Sequence, residues 1–326
     1  MNKGIVLGAV LALAGFGAGM YFAKQDQPPP VATTGSAGPS YAGGFKAEGD
    51  AAEAVKAGVA SGNIKAVAGP AGEAVIVVKD GESIQEAVKR AAPGTTIQVL
   101  PGTYHETVYI DKDGIRLIGV IEEGRRAVLD GQGKLNDAIL YSGNNVVVEN
   151  LAITKYKGNG IMSQAGNNFE IRNNLIVDTG VYGIFPQLGQ NGVVEHNVVS
   201  GIEDAAIYVG MSDNIHVAHN DVFDSVAGIE IENSRHAIVE NNYVHNNTGG
   251  ILAFVTPGLP IKTTYDVIIR HNFIVGNNHD NFGAPGSTVA GIPPGTGVLI
   301  MAADDVVIEV GPGLGSIPEN EMGPLI

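Results

Sequence analysis

One phrase recurs along this chain from residue 148 onward, and its period limits the fold more than any other feature. Strings such as "VENLAI", "RNNLIV", "EHNVVS" and "RHNFIV" place an asparagine among apolar, mostly β-branched residues. These asparagines follow one another at intervals of 22 to 24 residues, except for a last interval of 30. They are Asn150, Asn174, Asn197, Asn220, Asn242 and Asn272. A repeat of this length predicts a solenoid, because each unit is too small to bury its own apolar face.

A second series of residues runs in register with the first. A small residue followed by isoleucine recurs at residues 160, 183, 206, 228 and 250. Runs of three to six strand-forming residues lie between turns rich in Gly, Asn and Asp. Three such strands with their turns need roughly 23 residues, and stacked coils would pair in parallel. The sequence therefore predicts an all-β protein, a right-handed parallel β-helix, with isoleucines stacked inside and asparagine amides bonded along a buried turn.

The chain divides into three predicted parts. Residues 1–24 contain an uncharged stretch from Gly4 to Ala23. That stretch is long enough to cross a bilayer as a helix, which predicts a signal peptide or an uncleaved signal anchor. Residues 25–70 are rich in Pro, Gly and Ala and predict a flexible linker. The β-helix domain is expected over residues 71–326.

A short helix is predicted near the start of this domain. Ser83 followed by Glu86 has the spacing of a capping box, and "PG" at 93–94 ends the segment. The apolar residues would share one helical face, suited to capping the open end of a solenoid. They are Ile84, Ala87, Val88 and Ala91.

The last coil is expected to be incomplete. After "DDVVIE" (304–309), Val310 and Gly311 occupy the two polar places of the repeat, and Pro312 lacks a backbone donor. Three explanations are open: the tail covers the end as a lid, a partner covers it, or a natural chain continues the repeat.

Composition excludes several classes of function. The chain has 34 acidic and 19 basic residues, a net charge of −15, which disfavours nucleic acid and anionic lipid as partners. It has no cysteine, which excludes disulfides and thiolate metal sites. The apolar N-terminus predicts export, with Lys3 left in the cytoplasm and the rest of the chain in the periplasm or cell envelope. Contact with the membrane is then expected through the N-terminal helix alone.

From about residue 80 the sequence resembles the pectin-lyase-like right-handed parallel β-helix superfamily. The resemblance lies in "SIQEAVKRAAPGTTIQVLPGTYHETVYIDKDGIRLIG", followed by "VLDGQG". It implies the fold, shared by polysaccharide lyases, uronan C5-epimerases and non-catalytic periplasmic proteins such as the maturation factor of nitrous oxide reductase. The Asp-Pro-His run of alginate epimerases and the Gly-His-Gly of polygalacturonases are absent from the sequence. No catalytic residue is carried over.

A candidate ligand-binding face follows the isoleucine of each coil, where alternate residues point outward. Aromatic rings beside carboxylates there could stack on sugars, or the strip could dock a protein. Alternatively, long loops at 253–266 and 277–297 cover the strip. His279 and Asp280 lie in the second loop. The candidate residues are Phe185, Tyr208, Glu230, Glu232, Phe254, His279 and Asp280.

No metal site is predicted. His196 and His219 fall on adjacent coils, but two histidines without a third ligand are better explained as a polar turn column. The sequence does not specify a cofactor. The leading interpretation is an exported binding or accessory protein that recognises an envelope polysaccharide. A polysaccharide lyase or C5-epimerase, and a metal-delivery or complex-assembly factor, are the alternatives.

Overall fold

A computed structural model describes residues 74–309 of the chain. The predicted signal anchor and linker, and the tail after residue 309, lie outside these described residues. Within residues 74–309, no helix has both the length and the apolar character needed to span a bilayer.

Three parallel sheets of ten, eight and eight strands form the solenoid. Each coil adds one strand to sheet A, then to sheet B, then to sheet C. Sheet A contains β1 (Val75–Val78), β2 (Thr96–Val99), β5 (Arg116–Gly119), β8 (Val147–Glu149), β11 (Glu170–Arg172), β14 (Gln190–Glu195), β17 (Asp213–Ala218), β20 (Ile238–Glu240), β23 (Tyr265–Arg270) and β26 (Asp304–Glu309). Sheet B contains β3 (Gly102–Tyr104), β6 (Ala127–Asp130), β9 (Ala152–Thr154), β12 (Leu175–Val177), β15 (Val198–Ser200), β18 (Asp221–Phe223), β21 (Tyr243–His245) and β24 (Phe273–Val275). Sheet C contains β4 (Val108–Ile110), β7 (Ile139–Tyr141), β10 (Ile161–Ser163), β13 (Tyr182–Phe185), β16 (Ala205–Gly210), β19 (Ala227–Glu232), β22 (Gly249–Phe254) and β25 (Thr296–Met301).

The hydrophobic core fills the inside of the solenoid, as the repeat predicts. The isoleucine of each coil pairs in register with its counterpart on the next coil, as in Ile161 with Ile184 and Ile229 with Ile251. All five of these isoleucines are fully buried. Stacking identical β-branched side chains in this way confirms the parallel β-helix.

The asparagine ladder lies at the turn between sheets A and B and is confirmed from Asn174 to Asn272. Asn197 donates from its backbone and side-chain nitrogens to Asn220 Oδ1, both at 3.0 Å, and from Nδ2 to a carbonyl of the preceding sheet A strand at 2.9 Å. The same bonds recur at Asn174, Asn220 and Asn242. Each buried amide is therefore satisfied by the neighbouring coil.

Asn150 was predicted to belong to this ladder, and that prediction is wrong by one residue. Glu149 pairs with Arg172, so Leu151 is the residue aligned with Asn174, and it donates its backbone N–H to Asn174 Oδ1. Asn150 instead belongs to the column that directly precedes the ladder residues, which also contains His196. Both residues have a positive φ, 63° at Asn150 and 56° at His196. Asparagine tolerates this left-handed backbone, so the same residue type suits both neighbouring columns.

The predicted short helix, α1 (Ile84–Arg90), is present, and its predicted apolar face is buried. Ser83 Oγ accepts from the Glu86 N–H at 3.2 Å, but the Glu86 side chain pairs with Lys89 rather than closing a capping box. Glu106 from the first coil caps the N-terminus of α1 instead, because its carboxylate accepts hydrogen bonds from the N–H groups of residues 84 and 85. Lys112 donates to three carbonyls at the other end of α1, so charges of the favourable sign bracket the helix.

Candidate functional site

The outward side chains of sheet C form two columns along the solenoid. Strand pairing aligns Met162 with Phe185 and Tyr208 with Glu230, and two residues further on it aligns Gly210 with Glu232. The first column is Tyr109, Leu140, Met162, Phe185, Tyr208, Glu230, Leu252 and Leu299. The second column includes Gln187, Gly210, Glu232, Phe254 and Met301. Five predicted site residues therefore share one face, as the alternation of strand side chains requires.

Three aromatic rings meet on this face. Tyr182 and Tyr208 stack with ring centroids 4.5 Å apart and planes 9° from parallel. Phe185 packs edge-on against both, at 4.7 Å and 4.6 Å. These rings belong to a second hydrophobic cluster outside the solenoid core, here called the outer cluster. Its members are Phe185, Ala205, Tyr208, Val226, Ala227, Leu252, Phe254, Val289 and Ile292, with Met162, Tyr182 and Leu299 partly buried beside them.

Two glutamates point into the same region from β19. Glu230 is only 2% exposed, and among the described residues nothing hydrogen-bonds its Oε1. Burial, reinforced by the negative charge of Asp204, raises the pKa of Glu230 well above the usual glutamate value. Glu232 accepts a hydrogen bond from Tyr208 Oη, and burial raises its pKa as well. The face thus combines a carboxyl group bonded to Tyr208 with one whose Oε1 has no hydrogen-bond partner among the described residues.

The expectation that this strip is exposed is wrong around its predicted aromatic residues, where the loop at 277–297 supports the alternative of loop cover. Tyr109 and Met301, at the ends of the two columns, are 47% and 48% exposed. Phe185 and Tyr208 are only 8% and 5% exposed, and Phe254 is buried too. Val289 and Ile292, from the loop at 277–297, pack into the outer cluster. Apolar loop residues cover the aromatic strip because this removes both surfaces from water. Ligand binding by these residues remains a prediction.

The covering loop has internal order of its own. A short 3-10 helix spans Thr288–Gly291, with the Ser287 side chain at its N-terminus. Asn281 Nδ2 donates to the carbonyls of Val289 and Ile292, both at 2.8 Å. The two apolar residues are thereby held in place as a pair.

His279 and Asp280 lie away from the outer cluster. Both side chains are exposed, and their backbone groups bond to Asn247 and Thr248 at the turn between sheets B and C. His279 lies close enough to Asp224 to affect its pKa. Burial raises the pKa of Asp224, and the nearby histidines His279 and His245 partly offset this increase. The structure therefore places this pair at a different turn from the glutamates.

Sequence reasoning missed two groups at the site, Tyr182 and Asp204. Strand pairing matches Tyr182 with Ala205, Ala205 with Ala227 and Ala227 with Gly249, so Tyr182 belongs to a separate column whose next members are small. Tyr182 therefore does not fall in the outward columns that simple alternation assigns. An acidic residue just before a strand, like Asp204, carries no periodic signal.

His196 and His219 stack on adjacent coils with ring centroids 4.9 Å apart. Within residues 74–309, no group of three or more His, Asp or Glu side chains is arranged to hold a metal ion.

On the outer side of sheet A, Arg172 lies 3.6 Å from Glu195, and Arg270 lies 2.6 Å from Glu240. These are opposite-charge pairs between neighbouring coils.

The stacked coils and the buried amide ladder define a right-handed parallel β-helix protein. The family model described as "Right handed beta helix region" matches residues 139–309, and the chain belongs to this family. No curated protein sequence matches the chain.

Several solved structures are similar to this chain. An alginate lyase from Paenibacillus sp. shares 16% identity, with 73% of this chain and 98% of that one covered and a TM-score of 0.45. A family 28 exopolygalacturonase from Yersinia enterocolitica shares 10% identity, covering 74% and 67%, with a TM-score of 0.45. A pectate lyase variant from Xanthomonas campestris shares 14% identity, covering 76% and 82%, with a TM-score of 0.42. Similarity at this level says nothing about the activity of this chain.

Proposed function

We propose that this protein binds a polysaccharide on the outer face of sheet C. The observation that carries the proposal is the group of aromatic rings and carboxyl groups that lies outside the solenoid core. Tyr182, Phe185 and Tyr208 offer flat apolar surfaces for sugar rings. Glu230 and Glu232 can accept hydrogen bonds from sugar hydroxyls. A core that is already complete without them does not need these groups for its own packing.

The apolar stretch from Gly4 to Ala23 supports export and tethering, so an envelope polysaccharide is the proposed ligand and an envelope protein the alternative partner. We also assign α1 the role of covering the N-terminal end of the solenoid. Its buried face contacts β1, β2 and β4, the first strands of the stack.

A glycan array probed with the full-length protein tests this function. Binding should be lost in the double variant Phe185→Ala/Tyr208→Ala, because both rings that would hold the sugar are removed. The matched control is Tyr243→Ala/Phe273→Ala, which removes an aromatic pair 5.3 Å apart on the outer face of sheet B. Circular dichroism checks that both variants keep their β-structure. Glycan binding that survives in the first variant, or a wild-type protein that binds no glycan, would exclude this site.

A second candidate function, a carbohydrate-active enzyme, is favoured by Glu230 alone. A buried carboxyl group whose pKa is raised by burial keeps a proton that it could donate to a substrate. Glycans that bind should then be assayed for new reducing ends and unsaturated products. Turnover that disappears in Glu230→Gln while binding persists would establish an enzyme, and binding without any product would leave a binding protein.

A further inference from the structure

The outer face of sheet C is acidic and has no basic side chain of its own. In the two outward columns described above, from Tyr109 to Met301, no position is lysine or arginine. Glu230 and Glu232 lie within these columns, and Asp204 is close enough to influence Glu230 electrostatically. The whole chain is acidic as well. A ligand that carries carboxylates would therefore meet like charges here.

Glu230 is the member of this group whose environment is incomplete. Tyr208 hydrogen-bonds Glu232, but Glu230 Oε1 is buried and has no hydrogen-bond partner within residues 74–309. Burying a carboxyl group without a partner is costly, and a cation beside it would remove most of that cost. In the free protein a proton neutralises this carboxyl group, and a cationic group of a ligand could take the place of that proton.

The aromatic rings next to Glu230 suit the same kind of ligand. Tyr208 is its direct neighbour on the adjacent strand, and Tyr182 and Phe185 pack on Tyr208. Aromatic faces attract cations as well as sugar rings, and the attraction grows when water is excluded. Carboxyl groups beside aromatic rings thus favour an ammonium group carried on a sugar.

We propose that this site recognises a glycan with protonated amino groups, that is, one built from amino sugars with free amines. The proposal rests on the proposed glycan binding and adds the class of glycan. The proposal excludes uronates as the preferred ligand, because a uronate-binding protein would need positive charge on this face. Recognition of charged amines also differs from binding of neutral sugars only, which would offer Glu230 a hydroxyl group but no charged partner.

Calorimetry with the full-length protein at neutral pH can compare three tetrasaccharides. They are a glucosamine tetramer, its fully N-acetylated form and a tetramer of uronic acids. The glucosamine tetramer should bind at least about tenfold more tightly than the acetylated form, because only it brings charged amines to Glu230. The uronic acid tetramer should bind most weakly. Equal affinity for the first two, or tightest binding of the uronic acid tetramer, would overturn the amino-sugar assignment but leave glycan binding intact. A complete absence of glycan binding would instead overturn the proposed function.

The variant Glu230→Gln tests the role of the carboxyl group while keeping its shape. It should reduce the preference for the glucosamine tetramer to about threefold or less, with the acetylated form bound as before. Glu195→Gln is the matched control, since it makes the same carboxyl-to-amide change on the outer side of sheet A, where Glu195 faces Arg172. If Glu230→Gln left the preference for the glucosamine tetramer unchanged, or if Glu195→Gln reduced that preference equally, Glu230 would not be the residue that recognises the amine. Melting curves check that both variants are folded. The comparison of the three tetrasaccharides uses the wild-type protein and does not depend on either variant.

Discussion

Asn220 shows how one side chain joins three coils. Its Oδ1 accepts from two nitrogens of Asn197 at 3.0 Å, and its Nδ2 donates to Val194 O and Asn242 Oδ1 at 2.9 Å. Replacing it with alanine leaves buried donors and acceptors unpaired on both sides. We expect Asn220→Ala to lower the free energy of unfolding by roughly 1–3 kcal/mol, measured by denaturant titration.

Asn144→Ala is the control for this prediction. Asn144 Oδ1 also accepts from two nitrogens of the next coil, at Asn167, but at a half-exposed turn where water can replace it. Its replacement should cost less than about 1 kcal/mol. Equal losses in the two variants would contradict the importance of burial for the ladder.

Glu230 should make the stability of the protein depend on pH. Its pKa is raised in the folded state, so the folded protein holds this proton more tightly than the unfolded chain. The favourable contribution is therefore complete below the usual glutamate pKa of 4.5 and is lost as pH rises through the raised folded value. Glu230→Gln removes this dependence. The variant and the wild type should melt alike near about pH 4, and the variant should become the more stable of the two as the pH rises above that. A difference in melting temperature that stays constant across this range would rule out Glu230 as the titrating group.

The loop at 277–297 lies over the outer cluster without entering the solenoid core, so it can open while the coils stay folded. Val289 and Ile292 make its apolar contacts, and the core residues beneath belong to a separate cluster. Segments with few buried contacts open at lower free energy than the core. Release of Val289 and Ile292 would uncover the part of the outer cluster that they pack against.

Neighbouring residues on β22 allow this opening to be measured. Leu252 points outward under the loop and Ile251 points into the core, and both are buried. The chain contains no cysteine, so Leu252→Cys and Ile251→Cys each introduce a single thiol. The thiol at 252 should react with a labelling reagent at least about tenfold faster than the thiol at 251, because only the loop must open. Equal, slow labelling of the two would mean that the loop opens only with global unfolding.

At the scale of the whole molecule, the sequence predicted correctly the features that recur in every coil. Stacked isoleucines and amides recur because each meets its own counterpart on the next coil, so the period can be seen without a structure. Asn150 was misassigned because asparagine suits two adjacent columns. Tyr182 and the covering loop could not be predicted from the period, because the column of Tyr182 continues with Ala205, Ala227 and Gly249, and the loop is an insertion. The candidate site is built mainly from such departures.

Constant register also makes each coil a separable part of the molecule. Residues 197–219 form one complete coil, and removing them would bring Asn220 into the place of Asn197, with all three sheets still paired. We expect this deletion variant to fold, with cooperative melting, while a deletion of half that length should not fold. The shortened protein should bind no glycan, because Asp204 and Tyr208 leave with the coil. Failure of the whole-coil deletion to fold would show that the coils are not equivalent.

The same register affects how such a gene can change over time. Unequal recombination between neighbouring repeats adds or removes one coil, and the asparagine and isoleucine columns close again without further mutation. Length can therefore vary in steps of one coil with a folded protein at every step. The aromatic and acidic residues of sheet C have no such protection, because they differ from coil to coil. A duplication that leaves the scaffold unchanged would move Tyr208 away from Glu230 and create a new binding face for selection to act on.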